Sequence, residues 1–235
     1  MNSNNRWQKA QSYEKHWWDK RQSSIDLSYL KRFADELIKD LSPFYQFSDN
    51  SKILEIGSGP AGIITHLPGE LRCAVDPLED FYSSVPEYHS YRDKNVRYSN
   101  SRGEELPYTD NSFELVIIDN VLDHCENPQK VISEIDRVLQ KGGIIYFKQN
   151  VYHSAGKFIR NLLEKIEFDK GHPHNFTRKD ISVMFDNYAF EILSEKSRGH
   201  IKQLFVELKM KNLKAFVRIL TFMTRDKISL ILKKI

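Results

Sequence analysis

The chain has 235 residues, two cysteines and a formal net charge of +3. A chain of this length can form one α/β domain with extensions and bury about 70% of its unfolded surface, so no disulfide framework is needed. The charge is uneven, with +7 on residues 209–235 and −4 on the remainder, and the acidic-leaning body argues against a protein that binds nucleic acid over its whole surface.

The first residues are polar and include scattered aromatic side chains. They contain no apolar core of a signal peptide, and nowhere does the chain contain the roughly 18 consecutive apolar residues that a spanning helix needs. Cys73 and Cys125 lie in no metal-type cluster. We therefore expect a cytoplasmic protein.

The first predicted helix follows the N-terminal segment. Apolar residues at helical spacing from Leu27 to Leu41, with Asp26 as N-cap and Pro43 beyond the end, predict it.

Strands and helices alternate over the middle of the chain. We predict strands near residues 52–56, 71–76, 95–100, 113–119 and 144–149. Several are continuous apolar runs, which are typical of parallel strands covered on both faces. The best-defined helix spans about 128–140, where Asn127 is the cap, Pro128 takes the first position and Gly142 follows the end.

The alternation continues towards the end of the chain. Thr177 followed by Asp180 predicts a capped helix start, and a last strand pair is predicted near 189–195 and 201–209. These elements predict an α/β fold with a doubly wound, mostly parallel, seven-stranded sheet. In such folds, ligands bind outside the carboxyl ends of the strands.

A glycine-rich turn follows the first predicted strand, where residues 53–62 read Ile-Leu-Glu-Ile-Gly-Ser-Gly-Pro-Ala-Gly. Asp76 comes 21 positions after Glu55, a spacing that suits an acid bound to ribose hydroxyls. The glycine motif alone also fits NAD and FAD domains. Glu55 argues against these because a carboxylate repels a pyrophosphate, whereas it favours a cationic cofactor.

Further motifs in the same order make the chain similar to the class I S-adenosylmethionine-dependent methyltransferases, in particular those that act on small molecules. The resemblance is strong over residues 50–150 and weak over 170–195. It rests on Glu55-Ile-Gly-Ser-Gly, Val75-Asp76-Pro77, Glu104-Glu105-Leu106-Pro107-Tyr108, Asp119-Asn120-Val121-Leu122-Asp123-His124 and Arg137-Val138-Leu139-Gln140-Lys141-Gly142-Gly143.

The resemblance implies S-adenosyl-L-methionine as the cofactor. The glycine turn would pass under the methionine and ribose parts, Glu55 would orient that turn, and Asp76 would bind the ribose hydroxyls. Arg102 departs from the family pattern, which often has Asp there, so the backbone of Gly103 or Glu104 would pair with adenine. The implied cofactor-binding residues are Tyr13, Glu55, Gly57, Ser58, Gly59, Asp76, Pro77, Arg102, Gly103, Glu104, Asp119, Asn120 and Val121.

The resemblance also implies that the N-terminal segment closes over the cofactor. We predict a helical lid over residues 1–48 and the methyltransferase core over 49–209. Tyr13, Trp17 and Trp18 are candidates for the lid because an aromatic face attracts a sulfonium. Packing of these rings between the first helix and the body is an equally good interpretation.

His124 is the candidate catalytic base because imidazole titrates near neutral pH, although a structural role is the alternative. The stretch His172-Pro173-His174-Asn175-Phe176 is a candidate part of the acceptor pocket, as is the loop that holds His153. His172 and His174 have no convincing third ligand nearby in sequence, so we expect no metal.

Residues 213–232 are predicted to form a helix. Together with its flanking residues, the segment 210–235 is therefore predicted to be a basic amphipathic C-terminal helix. Such a helix packs on the body, forms a homodimer contact or lies on an anionic membrane, here the inner membrane face. The sequence thus predicts a methyltransferase for a small-molecule, glycan or lipid-linked acceptor, at oxygen. The alternatives are a non-catalytic cofactor-binding module that serves a partner protein and a nucleotide-dependent oxidoreductase. No specific nucleic-acid motif is present.

Overall fold

The structure is a computed structural model that describes residues 3–22, 24, 26–69, 71–164, 171–197, 199–210, 213–220 and 223–235. Its centre is a seven-stranded sheet in the order β3-β2-β1-β4-β5-β7-β6. The strands are β1 (Lys52–Ile56), β2 (Leu71–Asp76), β3 (Val96–Asn100), β4 (Phe113–Asp119), β5 (Leu139–Tyr152), β6 (Phe190–Ser197) and β7 (Arg225–Lys234). The predicted α/β class and seven-stranded sheet are confirmed.

The first five strands are parallel, and β7 runs antiparallel to both β5 and β6. The order reverses between β1 and β4, so the carboxyl ends of these two strands open onto a crevice. Apolar side chains of the central strands are buried on both faces and form two cores. On β1, Leu54 belongs to one core and Ile53 to the other, as the pleat requires.

The helices cover both faces of the sheet. They are α1 (Ser3–Asp19), α2 (Tyr29–Leu41), α3 (Glu79–Ser83), α4 (Pro86–His89), α5 (Pro128–Val138), α6 (Ser154–Glu164), α7 (Arg178–Phe185), α8 (His200–Lys209) and α9 (Leu213–Leu220). Two predicted helix starts are confirmed: the Asn127 side chain accepts a bond from the Lys130 N–H, and Thr177 and Asp180 form a reciprocal capping box. No helix within the described ranges is both long and apolar enough to cross a membrane.

The strand predicted over residues 201–209 is wrong, because this segment forms α8. Ile201, Leu204, Phe205 and Leu208 follow the three- and four-residue spacing of a helix. Glu207 fixes the other side of α8: it is buried, and its carboxylate accepts bonds from the Thr224 hydroxyl and the Arg218 guanidinium. A short apolar run can fit the residue spacing of either a strand or a helix. Here the segment is a helix, and the contacts of Glu207 hold it in place.

The helix predicted over residues 213–232 ends at Leu220, and residues 225–234 form β7 instead. In β7, Ile228, Leu230 and Leu232 alternate towards one core, whereas Ile231 enters the other. A strand buried on both faces is apolar at successive positions, which imitates a helical face. Of the basic amphipathic helix predicted over 210–235, the described residues form only α9, and β7 is part of the core sheet.

Candidate active site

The glycine turn after β1 is built around Glu55. Its two carboxylate oxygens accept bonds from the backbone N–H groups of Ile63 and Ile64, at 3.1 and 2.8 Å. Gly62 has φ +81°, and a Cβ there would lie 2.5 Å from Glu55 Oε2. Burial raises the pKa of Glu55 to about 7, against the lowering effect of its backbone hydrogen bonds. Glu55 therefore holds the loop in shape from beneath.

Asp76, at the end of β2, faces the same turn. Its Oδ2 accepts a bond from the Gly59 N–H at 2.9 Å, and its Oδ1 accepts one from the Leu78 N–H at 2.9 Å. Each carboxylate oxygen keeps acceptor capacity for a diol. Burial and the nearby charge of Glu14 raise the pKa of Asp76 to about 7.

A cavity of about 380 Å³ lies above the carboxyl ends of β1, β2 and β4, within the range for small-molecule sites. Helices α1 and α2 cover it, with Trp18 over the glycine turn: a Cβ on Gly59 would lie 3.9 Å from the Trp18 ring. From these two helices, the cavity is lined by Trp7, Gln11, Glu14, Trp18, Tyr29, Leu30 and Phe33.

One end of the cavity is closed by Arg102. Its guanidinium stacks on the Trp7 ring at 4.2 Å and pairs with the Glu126 carboxylate at 2.7 Å. Beside it, Glu104 Oε1 accepts bonds from the backbone N–H groups of Glu126 and Asn127. These contacts engage both side chains within the protein, and the backbone of Gly103 lines the cavity beside them.

The opposite end is formed where β4 stops. Asn120 has φ +60°, a conformation that costs about 1–3 kcal/mol outside glycine and that clusters at functional sites. Its Oδ1 accepts a bond from the Asn150 N–H. Asp119 pairs with Lys227 of β7 at 2.7 Å. A charged pair and a strained amide thus border the cavity.

His124 lies on the cavity wall at the end of the 3-10 turn Leu122–His124. Its Nδ1 is 3.5 Å from Glu14 Oε2, and its ring centroid is 4.5 Å from that of His172. His172 Nε2 is in turn 3.8 Å from Asp123 Oδ2. Two imidazoles and two carboxylates therefore cluster beside the cavity, and of these four side chains those of His124 and Glu14 line it.

The other two candidate histidines have different places. The His174 N–H donates to the Asp123 carbonyl, and burial lowers the pKa of the His174 ring, which is bonded to the backbone of Glu126 and Cys125. His174 thus holds the loop after β4. His153 is exposed and accepts a bond from the Ala155 N–H at the start of α6.

With one exception, the predicted cofactor-binding residues all line the cavity. Tyr13 does not line it, since it is 45% exposed and lies near Gly171. Sequence reasoning missed Gln11, Glu14, Tyr29 and Lys227, which come from elements distant along the chain and carry no motif. Lys227 could not be placed at all while β7 was assigned as a helix.

A glycine turn after the first strand, an acid ending the second strand and a cavity between them define a nucleoside-binding α/β domain. Residues 54–147 match a methyltransferase domain family. A glycine/sarcosine/dimethylglycine N-methyltransferase of Actinopolyspora halophila is 23% identical over 191 residues, 76% of this chain and 33% of the relative. An uncharacterized protein of Methanocaldococcus jannaschii is 40% identical over 150 residues, 63% of this chain and 65% of the relative.

The chain therefore spans less than two thirds of the length of these two curated relatives. Among solved structures, geranyl diphosphate C-methyltransferase from Streptomyces coelicolor, in complex with Mg²⁺, geranyl diphosphate and S-adenosyl-L-homocysteine, shares the fold with a TM-score of 0.64. Identity is 11%, and the match covers 91% of this chain and 88% of the other. Residues 54–147 thus carry a methyltransferase domain, in agreement with the resemblance to class I S-adenosylmethionine-dependent methyltransferases that the motifs predict.

Proposed function

We propose that the protein is a methyltransferase that transfers a methyl group from S-adenosyl-L-methionine to a small molecule. The observation that carries this proposal is the carboxylate of Asp76, buried at the end of β2 and bonded to the glycine turn, with acceptor capacity directed at the cavity. Two hydroxyls of a ribose fit such an acceptor. The methyltransferase-domain match over residues 54–147 supports the cofactor class.

In this proposal the cofactor lies along the cavity between Arg102 and Asp119. Adenine occupies the end near Gly103, where backbone groups remain for hydrogen bonding and the Arg102–Trp7 stack provides a flat wall. The methionine part lies over Gly57 towards Asp119 and Asn120. The carboxylates around the cavity favour a cofactor that carries a sulfonium and an ammonium.

The chemistry is an in-line displacement at the methyl carbon. The acceptor atom forms the new bond to carbon, the carbon–sulfur bond breaks, and its electron pair stays on sulfur. The cofactor carries the reactive group, so the protein contributes orientation and exclusion of water. Helices α1 and α2 provide both, because their side chains cover the cavity.

We further propose that the atom that accepts the methyl group is an oxygen. A hydroxyl must lose a proton, and among the described residues His124 is the histidine that lines the cavity. The named relatives transfer methyl groups to nitrogen or carbon, so the acceptor atom has to be measured. A panel of alcohols, carboxylic acids, amines and thiols, with S-adenosylhomocysteine release as the readout, tests this choice.

Cofactor binding is the first test, with calorimetry of S-adenosyl-L-methionine, S-adenosylhomocysteine and NAD on the full chain. We expect binding of the first two and a loss of at least tenfold in affinity in Asp76→Ala. Absence of binding, or unchanged binding in Asp76→Ala, would overturn the proposal. Binding without turnover for any acceptor in the panel would instead favour the non-catalytic module.

Glycan and lipid-linked acceptors, a cytoplasmic location, membrane contact and a homodimer remain proposals. The apolar side chains that support surface contact are now those of α8 and α9, where Ile201, Phe205 and Phe216 are more than half exposed. Membrane contact and dimer contact are distinguished by comparing Phe205→Glu with the parent chain, in liposome flotation for the first and in light scattering for the second. A membrane contact predicts lost flotation, and a dimer contact predicts a halved mass.

A further inference from the structure

Asp123, His124 and His172 converge beside the cavity, whose wall includes His124. One ligand atom from each of the three lies within 4.8 Å of the others. The two histidine side chains are 23% and 27% exposed, whereas that of Asp123 is only 10% exposed. The group therefore has a buried carboxylate and two partly exposed imidazoles, of which that of His124 lines the cavity.

The separations in this group do not correspond to hydrogen bonds. The 3.8 Å between His172 Nε2 and Asp123 Oδ2 exceeds hydrogen-bond length. Within the part of the chain that the structure describes, His124 Nδ1 is buried and has no hydrogen-bond partner. Ligands to one metal ion at about 2.0–2.1 Å are separated by roughly 3 Å. Shifts of about an ångström in two partly exposed rings close the set.

We propose that Asp123, His124 and His172 bind a divalent transition-metal ion. Two imidazoles with one carboxylate form a set that suits Zn²⁺ or Fe²⁺, whereas Mg²⁺ and Ca²⁺ prefer all-oxygen sites. Three protein ligands leave a coordination position open, as in catalytic zinc sites. The third ligand that sequence reasoning could not find beside the histidines is thus Asp123, brought to His172 by the fold.

Neighbouring residues supply the outer contacts that a metal site needs. Asp123 Oδ1 accepts a bond from Gln149 Nε2 at 2.8 Å, which orients the carboxylate and leaves Oδ2 facing His172. His124 would then ligate the ion through Nε2, so that Nδ1, 3.5 Å from Glu14 Oε2, is free to donate its N–H to that carboxylate and orient the ring. Carboxylate and amide partners of this kind hold metal-bound side chains. Because Glu14 belongs to α1, metal binding also ties the helix that covers the cavity to its floor.

The role of this ion in methyl transfer rests on the proposed function. A hydroxyl bound at the open position would have a lowered pKa, so the ion rather than His124 would promote its deprotonation. The site then favours acceptors that offer an oxygen or nitrogen ligand next to the cofactor's methyl group.

Metal binding is measured on the untagged full chain after removal of metal with EDTA and dialysis. Zn²⁺ is titrated in competition with a chromophoric chelator, and Co²⁺ absorption reports imidazole ligation. We expect one ion per chain, with at least tenfold weaker binding in His172→Ala and in Asp123→Asn, and about tenfold weaker binding in Glu14→Gln. His153→Ala, which removes an exposed histidine outside the group, is the matched control and should bind as the parent does.

No stoichiometric binding by the parent, or equal binding by His172→Ala and the parent, would overturn the site. Retained affinity for S-adenosylhomocysteine in EDTA verifies that the His172→Ala and Asp123→Asn variants are folded, and circular dichroism does so for Glu14→Gln, whose side chain lines the cavity. The two titrations test the two proposals separately. Cofactor binding in EDTA tests the proposed methyltransferase, and zinc binding without cofactor tests the metal site. A negative result in one does not contradict the other proposal.

Discussion

The carboxylate of Asp76 accepts a hydrogen bond from the backbone N–H of Gly59, 17 positions earlier, at 2.9 Å. This bond joins the end of β2 to the glycine turn after β1, so the acid proposed to bind the ribose also fixes the loop that would lie beneath the cofactor. In the proposed binding mode, ligand binding and loop geometry are coupled through one side chain.

Asp76→Asn should weaken S-adenosylhomocysteine binding by about 10–100-fold, because hydrogen bonds to a charged group contribute about 1.5–3 kcal/mol. The amide can still accept one bond from the turn, so the fold should persist. Calorimetry measures the affinity. Asp80→Asn, which alters an exposed carboxylate on α3 bonded to Asn100, is the control and should leave the affinity unchanged.

The second prediction concerns pH and stability. The pKa values of Glu55 and Asp76 are raised to about 7 in the folded protein, whereas carboxylates of an unfolded chain titrate near pH 4. Between about pH 4 and 7 these two groups hold more protons in the folded state, so they make the free energy of unfolding fall as pH rises through this window. Burial lowers the pKa of His66, His174 and His200, which acts in the opposite direction, but the shifts of the two carboxyls are larger. Urea denaturation should show the apo protein at least about 1 kcal/mol more stable at pH 5.5 than at pH 8.

Asp76→Asn should reduce this difference, since it removes one of the two raised carboxyls; an unchanged pH profile would contradict the assignment. Affinity for S-adenosyl-L-methionine should rise with pH, in contrast to the free energy of unfolding. A cationic ligand favours the ionised carboxylates, so binding should tighten from pH 6 to pH 8 and release protons near pH 7. Calorimetry in buffers of different ionisation enthalpy measures the released protons.

Most of the fold and the floor of the site could be predicted from the sequence because both depend on residues close together along the chain. Buried parallel strands are continuous apolar runs, and the residues at their carboxyl ends, such as Glu55 and Asp76, follow at fixed spacings. Lys227 and Glu14 were missed because tertiary packing brings them to the cavity. In β7, burial on both faces removes the alternation that distinguishes a strand from a helix.

The third prediction tests the position of β7. Leu232 is fully buried between β5 and β6, so Leu232→Ala should lower the free energy of unfolding by about 2–5 kcal/mol. Ile235, one position beyond the strand, is 64% exposed, and Ile235→Ala should change stability by less than about 0.5 kcal/mol. Equal effects in urea denaturation would mean that residues 225–234 do not lie inside the sheet.

The fourth prediction separates backbone strain from steric contact at the glycine turn. Gly57 has φ +70°, and a Cβ there would lie 2.4 Å from Val121 Cγ2. Gly142 has φ +79°, but a Cβ there would meet no atom of the described residues within 4 Å. Gly142→Ala should therefore cost about 1–2 kcal/mol from strain alone. Gly57→Ala should lower the free energy of unfolding further in urea denaturation, and it should weaken cofactor binding, which Gly142→Ala should not.

The last prediction concerns the helix that covers the cavity. Trp18 lines the cavity and packs edge-on against Tyr82 at 5.9 Å, whereas its neighbour Trp17 is 37% exposed and stacks with Arg21. Trp18→Ala should therefore weaken S-adenosylhomocysteine binding at least tenfold, because it opens the cover above Gly59. Trp17→Ala should bind within about twofold of the parent chain. Cofactor titration followed by quenching of the remaining tryptophan fluorescence measures both variants. An equal loss in the two would indicate that α1 acts by stabilising the fold as a whole, while no loss in Trp18→Ala would remove it from the cofactor site.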